Sequence, residues 1–448
     1  MSGWTAEQVA ALAPDPASAK AGQGLAAPAK WVSAGRDARA FWGECSGSGA
    51  KPYQVSVDTV GPAFRCSCPS RKFPCKHGLG LLFLHAARPG AVAEGAQPAW
   101  VAEWIAGRDE KSEKQAAKAA APPAESAPDP EAQAKRAARR EERVAAGMEE
   151  LERWLEDLVR QGLASLPSRP PSFWETPAAR LVDAQAPGAA RRVRQLSAVA
   201  HSGDGWPERM LERLSLLHLL ARAYARIDAL PEASREDVRA ALGFTLRQED
   251  AAAGEGVRDQ WAVLGQRVEE EDRLTVRRTW LWGRSTGRSA LLLAFAAGRQ
   301  PLEPGPPPGT EMDAELAFYP GAAPLRAVVR TRAESHPLAE MPGHGSISDA
   351  LAAYGAALAA NPWTERIAVS LPSVVPVDGT RWMLRDHDGA VIPIHPSASA
   401  VGWPLLALAG GRPVGVFGEW DGDHLLPLSA FADGRFHPLA PSYAGGGE

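Results

Sequence analysis

The chain has 448 residues, of which 45% are hydrophobic and 23% are charged, and its formal net charge at pH 7 is −4. This composition is typical of a globular protein with two or three domains and excludes a low-complexity or fibrous chain. No apolar run approaches the ~20 residues that span a bilayer, and the first residues lack the features of a secretory signal. With only four cysteines, the sequence predicts a cytoplasmic protein that does not contact membranes.

The first predicted domain covers residues 1–107 and contains a small metal-binding module at about 45–90. Alternating apolar residues from Tyr53 to Val57 predict a half-buried strand, and a turn at Gly61-Pro62 leads to a second strand that ends near Cys68. An apolar segment from Leu79 to Leu84 predicts a helix. The order indicates a treble-like ββα module.

Three of the four cysteines and a histidine lie within twelve residues of this module, at Cys66, Cys68, Cys75 and His77. The two pairs, C-x-C and C-x-H, can supply three sulfurs and one nitrogen to a tetrahedral ion, and Zn²⁺ suits that set. A disulfide leaves one cysteine unpaired and the histidine unexplained. The sequence therefore predicts one structural zinc ion, which supplies folding free energy to a module with little core.

Cys45 leaves an alternative open, because it could replace His77 and complete a four-cysteine site. It lies far from the cluster in sequence, beside a Gly-Ser segment. The other interpretation is an inert or surface thiol. His85, in the apolar helix, is expected to be a packed or surface histidine rather than a ligand.

The segments Phe64–Pro69 and Phe73–His77, with the apolar helix that follows, resemble the SWIM zinc finger, whose pattern is C-x-C, a variable spacer and C-x-H. The resemblance covers about residues 28–90. It implies a zinc-binding finger that contacts nucleic acid or protein. Bacterial proteins of this kind are often associated with MoxR-type ATPases and von Willebrand A-like proteins, and the richness in Ala, Arg, Gly and Pro also indicates a bacterial origin.

Beyond the finger, the sequence predicts a linker and two further domains, which makes the whole chain α+β. Residues 108–140 are rich in Ala, Lys, Glu and Pro and are expected to form a disordered or loosely helical linker. Leucines at helical spacing predict a helical bundle at 141–250. Short apolar segments with one helix at about 347–360 predict a β-rich α+β domain at 255–442, in which Asp421-Gly422 marks a hairpin turn.

No motif in the chain predicts an enzyme, and no small-molecule substrate is indicated. The segment Gly283–Ser289 resembles a phosphate-binding loop only superficially, since its glycine spacing is wrong and it lacks the lysine. Four protein ligands leave a zinc ion no open position for water or substrate. We therefore expect the metal to be structural and the protein to be non-enzymatic.

The charge of the finger predicts its partners. Residues 30–90 contain nine Lys and Arg residues but three Asp and Glu residues, within an acidic chain. Arg65, Arg71, Lys72 and Lys76 flank the ligands and are candidate contacts to nucleic acid, DNA in the first instance. Two alternatives stay open: these charges merely offset the thiolates, or the chain is a protein-interaction adaptor that works with a MoxR-type ATPase or a von Willebrand A-like protein.

Overall fold

The computed structural model describes residues 4–13, 16–47, 51–59, 63–70, 74–120, 130–271, 274–297, 302 and 305–439. Helices and strands segregate along the chain into a mixed N-terminal part, a helical part and a C-terminal part with two sheets. Among the described residues, no helix is both long enough and apolar enough to cross a membrane.

Among its described residues, the N-terminal part contains a five-stranded sheet and four helices. Its elements in chain order are α1 (Ala6–Ala11), α2 (Pro16–Gln23), β1 (Trp31–Arg36), β2 (Ala40–Cys45), β3 (Tyr53–Asp58), β4 (Ala63–Cys66), α3 (Lys76–Ala87), β5 (Ala93–Glu94) and α4 (Ala99–Ala120). The strand order is β4-β3-β2-β1-β5. The predicted hairpin is thus β3 and β4, and the structure extends it with three further strands.

The core of this part lies between the sheet and α3. Val55 and Val57 point from β3 toward the fully buried Leu79 and Leu82 of α3 in one apolar cluster. Gly22 allows α2 to approach α3 closely, because a Cβ atom there would lie 2.8 Å from Leu79 Cβ. Burial of this apolar surface holds the helix that carries two of the predicted ligands against the strands that carry the others.

The helical part is a bundle, and the described residues of its apolar core include no Cys, His, Asp or Glu that could bind a metal. It comprises α5 (Pro130–Gln161), α6 (Pro171–Asp183), α7 (Pro187–Val199), α8 (Trp206–Ala225) and α9 (Glu232–Leu242), followed by the short helix α10 (Gln248–Ala252). The leucines that the sequence placed on one face, such as Leu151 and Leu155 of α5, are buried in a common core with Trp174 of α6. The predicted helical bundle is confirmed.

The structure describes part of the predicted linker as helix. Helix α4 continues to Ala120 and α5 begins at Pro130, so residues 108–120 and 130–140 take the helical form, one of the two that were expected. The reason is that Ala, Lys, Glu and Arg, which cannot build a core, are also among the strongest helix formers. Residues 121–129 lie outside the described residues, and the domain boundaries stay predictions.

The C-terminal part contains two six-stranded sheets. The first consists of β6 (Gly256–Glu271), β7 (Leu274–Gly283), β8 (Ser289–Ala297), β9 (Thr310–Phe318), β10 (Ala327–Arg332) and β11 (His336–Pro337); α11 (Ile347–Ala360) follows it. The second consists of β12 (Ile367–Val377), β13 (Met383–Arg385), β14 (Val391–Pro393), β15 (Val414–Trp420), β16 (Leu425–Ala432) and β17 (Arg435–Pro438), with α12 (Gly402–Ala409) inserted before β15. As predicted, β15 and β16 form a hairpin across Asp421-Gly422.

Polar contacts join the bundle to the C-terminal part. The Asp237 carboxylate at α9 accepts hydrogen bonds from the Ala322 backbone N–H and from Asn361 Nδ2, both at 2.9 Å. The indole Nε1 of Trp363 donates to the backbone oxygen of Leu216 in α8 at 3.1 Å. These contacts come from two segments of the C-terminal part, so the bundle is fastened at more than one point.

Candidate metal centre

The four predicted ligands converge at one end of the N-terminal sheet. Cys66 is the last residue of β4, Cys68 follows it, Cys75 is the N-cap of α3 and His77 lies in the first turn of that helix. One ligand atom from each residue lies within 4.8 Å of all the others. Nδ1 of His77 is 3.7 Å from Cys66 Sγ and 3.9 Å from Cys75 Sγ.

These distances fit a tetrahedral zinc ion. Zn–S bonds of about 2.3 Å and Zn–N bonds of about 2.0 Å at tetrahedral angles place sulfur and nitrogen about 3.5 Å apart. The two measured sulfur–nitrogen distances lie close to that value. A set of three sulfurs and one imidazole nitrogen also selects zinc over the harder Mg²⁺ and Ca²⁺, which prefer oxygen. Cys66, Cys68, Cys75 and His77 would therefore hold a single structural Zn²⁺.

The strand register and the Ser67 side chain position the first cysteine pair. Val55 of β3 is the partner of Cys66 in β4. Immediately beyond that pair, the backbone N–H of Ser67 donates to the Gln54 carbonyl and Ser67 Oγ accepts from the Gln54 N–H, each at 3.0 Å. Ser67, which lies between the two cysteines, is therefore held to β3 by its backbone N–H and by its side chain. Both thiols lie in the same group of ligand atoms.

The thiols have pKa values that a bound cation would have to change. A hydrogen bond to Cys75, together with burial, raises the pKa of Cys66, and burial raises that of Cys68. The same hydrogen bond from Cys66 lowers the pKa of Cys75 to about 4. Without metal, one thiolate is stabilised by a neighbouring thiol, and a divalent cation would replace the protons on the other two.

Two neighbours fix the orientation of His77 and of the helix. The Tyr53 ring at the start of β3 packs on the His77 ring, with 4.8 Å between centroids and a 38° angle between planes. Gly78 lets α3 approach β4, because a Cβ atom there would lie 2.7 Å from Cδ1 of Phe64. Neither contact was predicted from the sequence, although the position of Tyr53 at the start of its strand is a signal that could have indicated the first.

Cys45 does not belong to the group of four. It is the last residue of β2 and is fully buried in the apolar core, where its Sγ lies 3.8 Å from the Ser46 carbonyl oxygen. Burial raises the pKa of its thiol, so it is a structural core residue and the surface position considered for it is wrong. His85 is a packed histidine, as expected: it is buried against Phe41, with ring centroids 4.7 Å apart.

The candidate nucleic-acid contacts divide into two described and two undescribed residues. Lys76 is exposed at the start of α3. Arg65 is also exposed, and its Nη1 lies 3.4 Å from the Trp100 carbonyl oxygen. Arg71 and Lys72 lie outside the described residues. Sequence reasoning missed Lys30, whose positive charge, like that of Lys76, opposes the rise that burial causes in the pKa of Cys45.

The segment that superficially resembles a phosphate loop has its backbone donors already engaged. Asp259 accepts hydrogen bonds from the backbone N–H groups of Ser285 at 3.0 Å and Thr286 at 2.9 Å, and from Thr286 Oγ1 at 2.8 Å. A protein carboxylate thus takes the place that a phosphate would occupy, so the segment is a structural turn between β7 and β8.

The fold and site define a protein with a Cys₃His structural zinc finger joined to a helical bundle. Comparison with family models gives the more specific result: residues 53–85 match the SWIM zinc finger, and residues 139–242 match the SWIM-associated four-helix bundle domain. The chain therefore contains a SWIM zinc finger followed by a SWIM-associated four-helix bundle domain. No significant match was found among curated proteins or among solved structures.

Proposed function

We propose that the finger binds the phosphate backbone of nucleic acid, with DNA as the first candidate, through the end of the sheet that carries the metal. The observation that carries this proposal is a set of exposed lysines at the end of the sheet where the ligands lie. Lys76 adjoins His77, Lys51 lies two residues before Tyr53, whose ring packs on His77, and Lys30 precedes Trp31, the strand partner of Cys45. None of the three forms an ion pair within the part of the chain that the structure describes. Free cationic groups on one surface are the usual means of binding phosphates without reading sequence.

The acidic residues of the finger support the proposal because they are used internally. Asp58 is only 2% exposed, and its carboxylate lies 3.0 Å from Nε of Arg108. Glu44 accepts a hydrogen bond from Ser33 Oγ at 3.3 Å, and Asp37 accepts hydrogen bonds from two backbone N–H groups. Asp58 is thus paired with arginines, and among the described residues none of these three carboxylates forms an ion pair with Lys30, Lys51 or Lys76.

The burial of α3 limits what the finger can read. Every residue of this helix from His77 to His85 is buried, so the helix cannot enter a DNA groove as a recognition helix does. Lys76 stands just outside that buried run, at the N-terminal end, where the helix dipole also favours a phosphate. We therefore expect backbone contacts with little sequence preference, and the zinc to support this surface without taking part in chemistry.

A salt titration with a labelled DNA duplex of random sequence tests the proposal. Four contacts, from the three lysines and Arg65, predict a log–log slope of about −3.6, which is a loss of roughly 150-fold in affinity between 50 and 200 mM salt. Lys76→Ala should flatten the slope by about 0.9. Arg88→Ala is the matched control, because it removes the same charge about 18 Å away, at the other end of α3.

Two results would contradict the proposal. If zinc-loaded protein shows no binding to DNA or RNA at about 50 mM salt, the adaptor role becomes the better account. If Lys76→Ala and Arg88→Ala change the slope equally, binding depends on total charge rather than on the surface beside the metal.

A further inference from the structure

The bundle carries an apolar groove that the finger and its proposed function do not use. The groove lies between α5 and α6 and has a volume of about 320 Å³. Its walls are formed mainly by Leu151 and Trp154 of α5 and by Phe173, Pro177 and Leu181 of α6. This volume is at the lower end of the range for ligand sites, which is suitable for one or two apolar side chains rather than for a cofactor.

The lining residues follow the spacing of helix faces. Gly147, Leu151 and Trp154 recur at intervals of four and three along α5, and Phe173, Pro177 and Leu181 recur at intervals of four along α6. The groove therefore runs along both helix axes for about two turns, roughly 10 Å. At one end the helices meet, because a Cβ atom on Gly147 would lie 2.5 Å from Ala184 Cβ.

The polar groups of the groove are already paired, which restricts its occupant. Thr176 Oγ1 donates to the Ser172 carbonyl at 2.8 Å. Glu150 of α5 and Arg180 of α6 form an ion pair across the mouth. The lining thus offers no unpaired charge to a phosphate, a nucleotide or a charged metabolite, whose desolvation would be uncompensated.

The ion pair also gives the two sides of the mouth opposite charges at the same level, acidic on α5 and basic on α6. A helix that lies in the groove with a basic residue toward Glu150 and an acidic residue toward Arg180 extends this ion pair to four alternating charges while its apolar side chains fill the floor, so neither charge of the groove loses its partner. An amphipathic helix with apolar residues at i, i+3, i+4 and i+7 covers the required length.

We propose that the α5–α6 groove docks an amphipathic helix of a partner protein whose flanks carry opposite charges. Trp154 and Phe173 are the aromatic contacts for its apolar anchors, and the ion pair of Glu150 and Arg180 selects its flanks. The proposal concerns the bundle alone, so it goes beyond the nucleic-acid function of the finger and does not depend on it.

Three synthetic amphipathic peptides test the proposal by fluorescence anisotropy with the full-length, zinc-loaded chain. All three share the apolar positions, and their flanks carry lysine on one side with glutamate on the other, lysine on both sides, or glutamate on both sides. A fourth peptide with serine at the apolar positions is the negative control. The mixed-flank peptide should bind most tightly, and the serine peptide should not bind.

Two variants and a matched control assign the binding to the groove. Trp154→Ala should weaken the mixed-flank peptide about tenfold or more, as loss of an aromatic anchor does. Glu150→Arg makes both sides basic, so preference should shift by up to about fivefold toward the glutamate-flanked peptide. Leu211→Ala is the control: it shortens a leucine of α8 that is 51% exposed and does not line the groove.

The outcomes that overturn the proposal do not involve the finger. The proposal is wrong if the mixed-flank peptide fails to bind at concentrations up to about 1 mM, or if Trp154→Ala and Leu211→Ala weaken it equally. Should Trp154→Ala fail to fold, an unchanged flank preference in Glu150→Arg overturns it instead. DNA binding that persists in both groove variants keeps the two functions separate.

Discussion

The contact between Tyr53 and His77 makes a quantitative prediction for zinc affinity. The two rings pack with centroids 4.8 Å apart, and such a pair contributes about 0.5–1.5 kcal/mol. Tyr53→Ala removes the ring that holds the imidazole with Nδ1 toward the sulfurs of Cys66 and Cys75. A loss near 1.4 kcal/mol corresponds to about tenfold, the lower end of the effect of groups that orient metal ligands.

Competition with a chromophoric chelator measures this loss directly, with Tyr53→Phe as the matched control. Phenylalanine keeps the ring, so the affinity of that variant should remain within about twofold of the wild type, since only the hydroxyl is lost. Equal affinity in Tyr53→Ala and the wild type would refute the role of the ring. Equal losses in the two variants would assign the effect to the hydroxyl instead.

Three further predictions concern other parts of the chain. Gly78→Val should lower the free energy of unfolding of the finger by about 1–3 kcal/mol, because the added side chain overpacks against Phe64. Gly107→Ala should leave it unchanged, because nothing lies within 4 Å of a Cβ atom at that position. A strong chelator should remove the near-UV signal of the finger but leave most helical circular dichroism, because the bundle core contains no metal ligand; global unfolding would show that the parts share one core. Asp259→Asn should cost about 1.5–3 kcal/mol of stability at pH 7. Burial alone would raise the pKa of Asp259, but the hydrogen bonds that it accepts from Ser285 and Thr286 lower it below its ordinary value. The contribution of Asp259 to stability is therefore fully present above the unfolded pKa of about 3.9 and is lost as the pH falls from there through the lower pKa of the folded protein. Denaturant titrations across that range should show the difference between the two proteins shrinking toward acid.

The metal ligands could be predicted from the sequence because their chemistry is local. Four ligand types within twelve residues limit the possible ions before any fold is known. The leucine stripes of the bundle were equally readable, since helical spacing reports burial directly. Both signals depend on residues that are close together in the chain.

Features that depend on distant residues could not be predicted in the same way. Lys30 lies beside the end of β2, next to Cys45, because its carbonyl accepts from the Ser46 N–H where β1 and β2 pair. The pairing of Asp259 with Ser285 and Thr286 likewise joins β6 to the turn between β7 and β8. In the linker, composition correctly indicated the absence of a core but could not separate a disordered segment from an exposed helix, since the same residues favour both.

The identity of the zinc ligands is the central claim, and X-ray absorption at the zinc edge tests it most directly. Purified protein should contain one zinc per chain, with three sulfur neighbours at about 2.3 Å and one nitrogen neighbour at about 2.0 Å. The Cys45→Ser variant should give the same spectrum, because Cys45 lies outside the group of four. Four sulfur neighbours in the wild type, with one lost in Cys45→Ser, would contradict the assignment of His77 as the fourth ligand.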